Sequence, residues 1–99
     1  MIKYVNEENF ENELSNKKVL VDFYATWCGP CKMLGLVIEK LDDEGLIPIL
    51  KVDSDESSNL ANEYNIFSIP TLIMFENGKE LKRNVGYMSY DELKKWVSE

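Results

Sequence analysis

Two cysteines stand three residues apart in the run Trp27-Cys28-Gly29-Pro30-Cys31-Lys32, directly behind an apolar β-type stretch from Val19 to Ala25. They are the only cysteines of the chain, so any disulfide formed within one copy must join them. A bridge that short closes almost no loop and restrains the unfolded chain very little. Such a pair is a poor staple and a good redox switch. On residue types alone, two structural thiols or half of a metal site stay open as alternatives.

A second group interrupts an otherwise apolar run. Asp22 lies inside Val19-Leu20-Val21-Asp22-Phe23-Tyr24. A carboxylate buried there without a partner is costly, so its pKa should rise and its proton become useful near neutrality. The plainer reading is a strand-end aspartate that reaches water.

Composition leaves this chemistry few competitors. The 99 residues suffice for one domain, residues 1–99, with a core that needs no disulfide or metal. The chain is 44% apolar with 11% aromatic residues, an ordinary globular composition. It has no histidine, which removes Cys-His nucleophilic catalysis, histidine acid–base work and mixed Cys/His zinc sites. Two thiols alone do not fill a tetrahedral zinc shell, so a metal site would need a second chain or carboxylates; the expectation is no metal and no cofactor. The formal charge of −7 argues against a nucleic-acid binder, which needs a basic face. No stretch approaches the ~20 apolar residues of a membrane span. The start, Met1-Ile2-Lys3-Tyr4-Val5-Asn6, has no long apolar region of the secretory kind. The expectation is a monomer in the reducing cytoplasm, where a paired CxxC is catalytic more often than structural.

The elements that must hold these residues alternate along the chain. Ile2 to Val5 is a short strand, and Asn6 can cap a helix carrying Phe10 and Leu14. Val19 to Ala25 has the pattern of a strand buried on both faces. Met33, Leu34, Val37, Ile38 and Leu41 then recur at helical spacing until Gly45 ends the run. Leu46 to Val52 is another buried strand, with Pro48 near its start. Leu60, Ala61 and Tyr64 mark a short helix started by one of Asp55 to Ser58. Thr71 to Phe75 pairs with Glu80 to Val85 through Asn77-Gly78, a turn whose residues take positive φ. Gly86 suggests a bulge or a close backbone approach. Ser89-Tyr90-Asp91-Glu92 is a capping box for a last helix with Leu93, Trp96 and Val97 inward. The order β-α-β-α-β-α-β-β-α predicts an α/β fold with parallel crossovers first and an antiparallel hairpin last.

Cys28 to Cys31 after a Val-Asp-Phe strand, then Ile69-Pro70-Thr71, Asn77-Gly78 and Val85-Gly86, resembles the thioredoxin family along essentially the whole length. A lone CxxC is weak evidence. All these features in order, at these separations, are specific. The resemblance implies a central mixed five-stranded sheet flanked by four helices. It also implies a general protein-disulfide reductase that carries electrons from a thioredoxin reductase to disulfide-containing target proteins.

Thiol–disulfide exchange needs one thiolate that attacks and a second thiol that resolves the mixed disulfide. Cys28 is expected at the first, solvent-facing position of a helix, where unpaired N–H groups and the positive helix end favour its thiolate. Cys31 is expected one turn inside, as the shielded resolving thiol. Gly29 leaves room for a substrate chain, and Pro30 stiffens the ring at no hydrogen-bonding cost in a first turn. By analogy with the family, Asp22 is the base that deprotonates Cys31, directly or through a water, and Lys51 is its neighbour. Without that analogy Lys51 reads equally as a solvated strand-end lysine. Ile69-Pro70 matches the family's cis-proline segment, although a trans bond is the default for any proline. A cis bond there frees the Ile69 backbone to pair with an extended substrate. Trp27, Ile69 and Gly86 then surround Cys28 as a flat apolar docking patch, though Trp27 could also be ordinary core. The rival reading is a binding module or structural clamp that uses this surface with idle cysteines.

Three positions depart from the common family pattern. Tyr24 replaces a frequent tryptophan, and Ser68 precedes Ile69. Gly35-Leu36 stands where relatives usually carry alanine and a kink-forming proline. Leu36 keeps its N–H, so the helix is expected to run through this point with little or no kink, despite roughly 1 kcal/mol of glycine cost.

Overall fold

The computed structural model describes residues 1–14 and 17–99. Its elements follow the expected alternation: β1 (Ile2–Val5), α1 (Phe10–Leu14), β2 (Lys18–Tyr24), α2 (Gly29–Asp42), β3 (Ile49–Asp53), α3 (Ser58–Glu63), β4 (Thr71–Glu76), β5 (Lys79–Val85) and α4 (Tyr90–Ser98). The strands form one sheet in the order β1-β3-β2-β4-β5. β3 pairs in parallel with both β1 and β2, while β4 runs antiparallel to β2 and β5. This is the mixed five-stranded sheet with four helices that the family resemblance implies.

β2 is central and buries both faces, which its near-continuous apolar run requires. Leu20 joins Ile49, Leu72 and Met74 under α2 and α4, against Leu34, Ile38, Leu41 and Leu93. Val19, Val21 and Phe23 point the other way, into a core with Phe10, Leu14, Leu60 and Phe75. Period-two alternation therefore places Asp22 and Tyr24 on the α2 side, with Leu20.

Local signals are satisfied where they were read. The Asn6 side chain accepts the Glu8 and Asn9 N–H groups, opening the turn that leads into α1. Asn77 and Gly78 take φ of 54° and 77° in the β4–β5 hairpin. Ser89 and Glu92 make both bonds of the capping box.

Two expectations, Met33 and Leu46, need correction, and those for Gly86 and Trp96 take a sharper form. Met33 is 57% exposed, because α2 presents only the narrower stripe of Leu34, Val37, Ile38 and Leu41 to the sheet and α4. Leu46 is exposed and β3 begins only at Ile49; Pro48 has no N–H to give a ladder, and its carbonyl instead accepts the Leu20 amide at 3.0 Å. The irregularity of the last hairpin lies away from Gly86. Phe75 pairs with Glu80 and Met74 with Lys82, leaving Leu81 unopposed, and Gly86 makes a close approach. Trp96 is half-buried against the core, its ring covered by the Lys82 ammonium at 4.7 Å.

Candidate active site

β2 delivers the chain to the start of α2, and the two cysteines sit at that junction. Cys28 is the N-cap of α2, with extended backbone (φ −90°, ψ 114°), and Cys31 lies in the first turn. A disulfide joins them across a Cα–Cα distance of 5.2 Å. The Cys28 sulfur accepts the Cys31 backbone N–H at 3.2 Å. An N-cap side chain normally offers oxygen to these unpaired amides; here a sulfur takes the place, so the helix start favours negative charge on it.

Cys28 was expected to face solvent and does not in this disulfide form. It is 5% exposed and Cys31 3%, and both pack with Ala25 against Tyr24 and Ile69. The covering residue comes from the segment before β4. The Ile69 carbonyl oxygen lies 3.9 Å from the Cys28 sulfur, and the Ile69–Pro70 peptide bond is cis. The Pro70 carbonyl in turn accepts the Gly86 amide at 2.8 Å. Gly86 has φ +101°, a conformation that side-chain-bearing residues rarely adopt, so glycine is required for that approach.

Around this centre the surface is open and apolar. Trp27 is 70% exposed and Gly29 and Pro30 are exposed beside it. A methyl group built on Gly29 would meet nothing within 4 Å. The Trp27 indole N–H donates to the Asp55 carboxylate at 2.8 Å, which fixes the ring against the loop after β3. Sequence reasoning missed Asp55. It lies in a polar run read only as a helix start, and nothing local links it to a tryptophan 28 residues earlier.

Asp22 is fully buried, and Lys51 lies opposite it on β3. The ammonium stands 3.5 Å from one carboxylate oxygen, an ion-pair contact at the limit of hydrogen-bonding reach. Among the described residues neither carboxylate oxygen has a hydrogen-bond partner. Burial pushes the Asp22 carboxyl up to about 6, and the Lys51 charge keeps it from rising further. Lys51 and Cys31 line one open groove of about 300 Å³ with Tyr24, Ala25, Thr26, Lys32, Gly35 and Glu39. The structure thus gathers Cys28, Cys31, Trp27, Ile69, Pro70 and Gly86 at one end of the sheet, and the groove beside Cys31 is lined by Lys51, the ion-pair partner of the buried Asp22. α2 is one continuous helix through Gly35 and Leu36.

An oxidisable CxxC at the N-terminus of a helix, on a mixed five-stranded sheet, defines a thiol–disulfide oxidoreductase. Known proteins agree. The Thioredoxin family profile matches residues 1–99. The chain is 48% identical over 99 residues to thioredoxin of Chlamydia trachomatis, covering 99% of this chain and 97% of that protein. It is 44% identical over 91 residues to thioredoxin of Staphylococcus aureus, covering 90% of this chain and 88% of that one. A solved structure of Malassezia sympodialis thioredoxin superposes with a TM-score of 0.89 at 36% identity, covering 99% of this chain and 89% of that chain. The chain belongs to the thioredoxin family, and its activity is that of a protein-disulfide oxidoreductase.

Proposed function

We propose that the chain acts as one domain over residues 1–99, a cytoplasmic monomer that carries electrons from a thioredoxin reductase to disulfide-containing target proteins. The observation that carries this reading is the Cys28 sulfur at the helix N-cap, accepting the Cys31 amide beside the Ile69 carbonyl. In the reduced protein the Cys28 thiolate attacks one sulfur of a target disulfide. A Cys28–target disulfide forms, and the other target sulfur leaves as a thiolate. Asp22, buried behind Lys51, takes the Cys31 proton, directly or through a water in the groove that Cys31 and Lys51 line. Cys31 then attacks Cys28, the Cys28–Cys31 disulfide closes, and the second target sulfur departs reduced. Two electrons have moved from the cysteine pair to the target, and the reductase returns them. The thiols themselves carry the electrons, so the reaction calls for no metal or bound cofactor.

Trp27, Gly29, Pro30, Ile69, Pro70 and Gly86 supply the docking surface, on which an extended target segment pairs with the Ile69 backbone. The cytoplasmic setting is supported by cysteine usage, since both cysteines of the chain belong to the redox pair. Among the described residues no helix is long and apolar enough to cross a membrane. The test is catalytic reduction of accessible disulfides in an unrelated folded protein, driven by an NADPH- or ferredoxin-linked reductase. Turnover is expected with the natural chain and none with Cys28 and Cys31 both replaced by serine. A folded natural chain that turns over with neither reductase overturns the reading, and a double variant that keeps the biological function returns the clamp.

A further inference from the structure

The parallel register sets Tyr4, Lys51 and Asp22 in one row across β1, β3 and β2, all on the α2 side of the sheet. Tyr24, two residues beyond Asp22, lies on the same side. Between them the Lys51 side chain is only 11% exposed, so its ammonium has given up most of its water. What surrounds the ammonium instead is aromatic. It lies over the Tyr24 ring at 4.7 Å from the centroid and over the Tyr4 ring at 5.8 Å. The two rings meet edge to face at 6.3 Å, which fixes each against the other. On the remaining side stands Gly35 of α2, whose added Cβ would lie 3.6 Å from the ammonium. A cation desolvated this far is costly unless the surrounding groups carry negative potential, and the ring face is such a group.

We propose that Tyr4 and Tyr24 are positioning residues for the redox reaction: their ring faces replace the water lost by Lys51 and hold its ammonium against Asp22. Remove a ring and the ammonium is better served by swinging along the groove into solvent. Asp22 then loses part of the charge that keeps its carboxyl ionisable, and it holds its proton to higher pH. Other charged or titratable groups also face this cluster. Lys32, Cys31 and Glu39 of α2 line the groove, and Asp53 of β3 and Glu56 act on the Tyr24 phenol. Burial, with Asp53 next, pushes that phenol up to about 12, so the ring stays neutral wherever the reaction runs.

The proposal rests on Asp22 as proton acceptor only for its kinetic consequence, and one experiment separates the two. The Asp22 carboxyl is titrated by carbon NMR in the disulfide form, where the cysteines carry no proton, for the natural chain, Tyr4→Leu, Tyr24→Leu and Tyr24→Phe. Each leucine variant should raise the midpoint by about half a pH unit, roughly threefold in proton affinity. Tyr24→Phe, which keeps the ring and loses the hydroxyl, should leave it in place. In a Lys51→Met background the leucine changes should move it no further, because the ring acts through the ammonium. An unmoved midpoint in folded Tyr4→Leu and Tyr24→Leu overturns the proposal. So does an equal shift in Tyr24→Phe, or one that persists without Lys51. Tyr4 lies on an exposed edge strand, so its variant carries the test should Tyr24→Leu not fold. The pH profile of mixed-disulfide resolution is followed in parallel. A shifted carboxyl midpoint with an unshifted profile upholds the rings' hold on Lys51 and Asp22, but retires Asp22 as the base and overturns the rings' part in the redox step.

Discussion

At the scale of single residues, the two sulfurs differ by one turn of helix and by what each touches. Cys28 occupies the cap and accepts an amide, while Cys31 lies within the first turn. In the reduced protein Cys28 should therefore be alkylated well before Cys31 at neutral pH, and Cys31→Ser should accumulate mixed disulfides that Cys28→Ser does not. Equal labelling rates measured by mass spectrometry would reverse these roles. Asp22 makes a prediction about stability. Its carboxyl is raised in the folded state from 3.8 to about 6, so the folded protein binds the proton more tightly than the unfolded chain. The contribution is fully present below pH ~4 and is lost as pH rises through about 6. Asp22→Asn removes this dependence, so its stability relative to the natural chain should improve between pH 4 and 7.5, by about 3 kcal/mol at most. Urea titrations at both pH values measure it; the difference between the chains is the quantity to read, because Glu80, held low by its bond to Arg83, acts in the opposite direction. The cysteines and Asp22 were legible because each violates its surroundings: a pair with no staple to make, a charge in an apolar strand. Asp55 was not, since an aspartate in a polar loop violates nothing, and its bond to Trp27 exists only once β2 and β3 are neighbours.

At the scale of elements, what the sequence declares is local and what it withholds is tertiary. The Asn77-Gly78 turn, the Ser89 cap and the apolar run of β2 each follow from neighbouring residues, and each was read correctly. Met33 failed because helical spacing marks an apolar stripe without saying how wide a face the sheet and α4 will cover. The unopposed Leu81 was not legible, because such a residue depends on both strands of a pair at once. Two substitutions test the elements. Ser89→Ala removes the acceptor of the Glu92 amide and should cost about 1 kcal/mol of unfolding free energy. Gly35→Ala should have the opposite sign. The new methyl group finds only the Lys51 ammonium, at an ordinary 3.6 Å, and the helix interior gains up to about 1 kcal/mol. A destabilised Gly35→Ala chain in chemical denaturation would show that α2 needs the glycine for space.

At the scale of the whole molecule, 18 acidic residues against 11 basic ones make the chain a polyanion that meets its partners through a long-range field. Reduction of a basic disulfide protein should slow as salt rises from 20 to 200 mM, and reduction of an acidic one should quicken, on the order of the screening expected over a Debye length. Second-order rates for one target of each kind measure this, and salt slopes of the same sign would show that the apolar patch alone governs encounter. The sheet order has a further consequence. β5 is an edge strand with little burial, yet the residue that follows it donates the amide bound by Pro70. One hydrogen bond thus latches the end of the least buried strand of the sheet to the segment that covers Cys28. The deuterium-exchange lifetime of the Gly86 amide is therefore a clock for that segment, and it ticks without any label on the sulfurs. A target that lies across Ile69 lengthens the interval; one that merely collides with the helix leaves it unchanged.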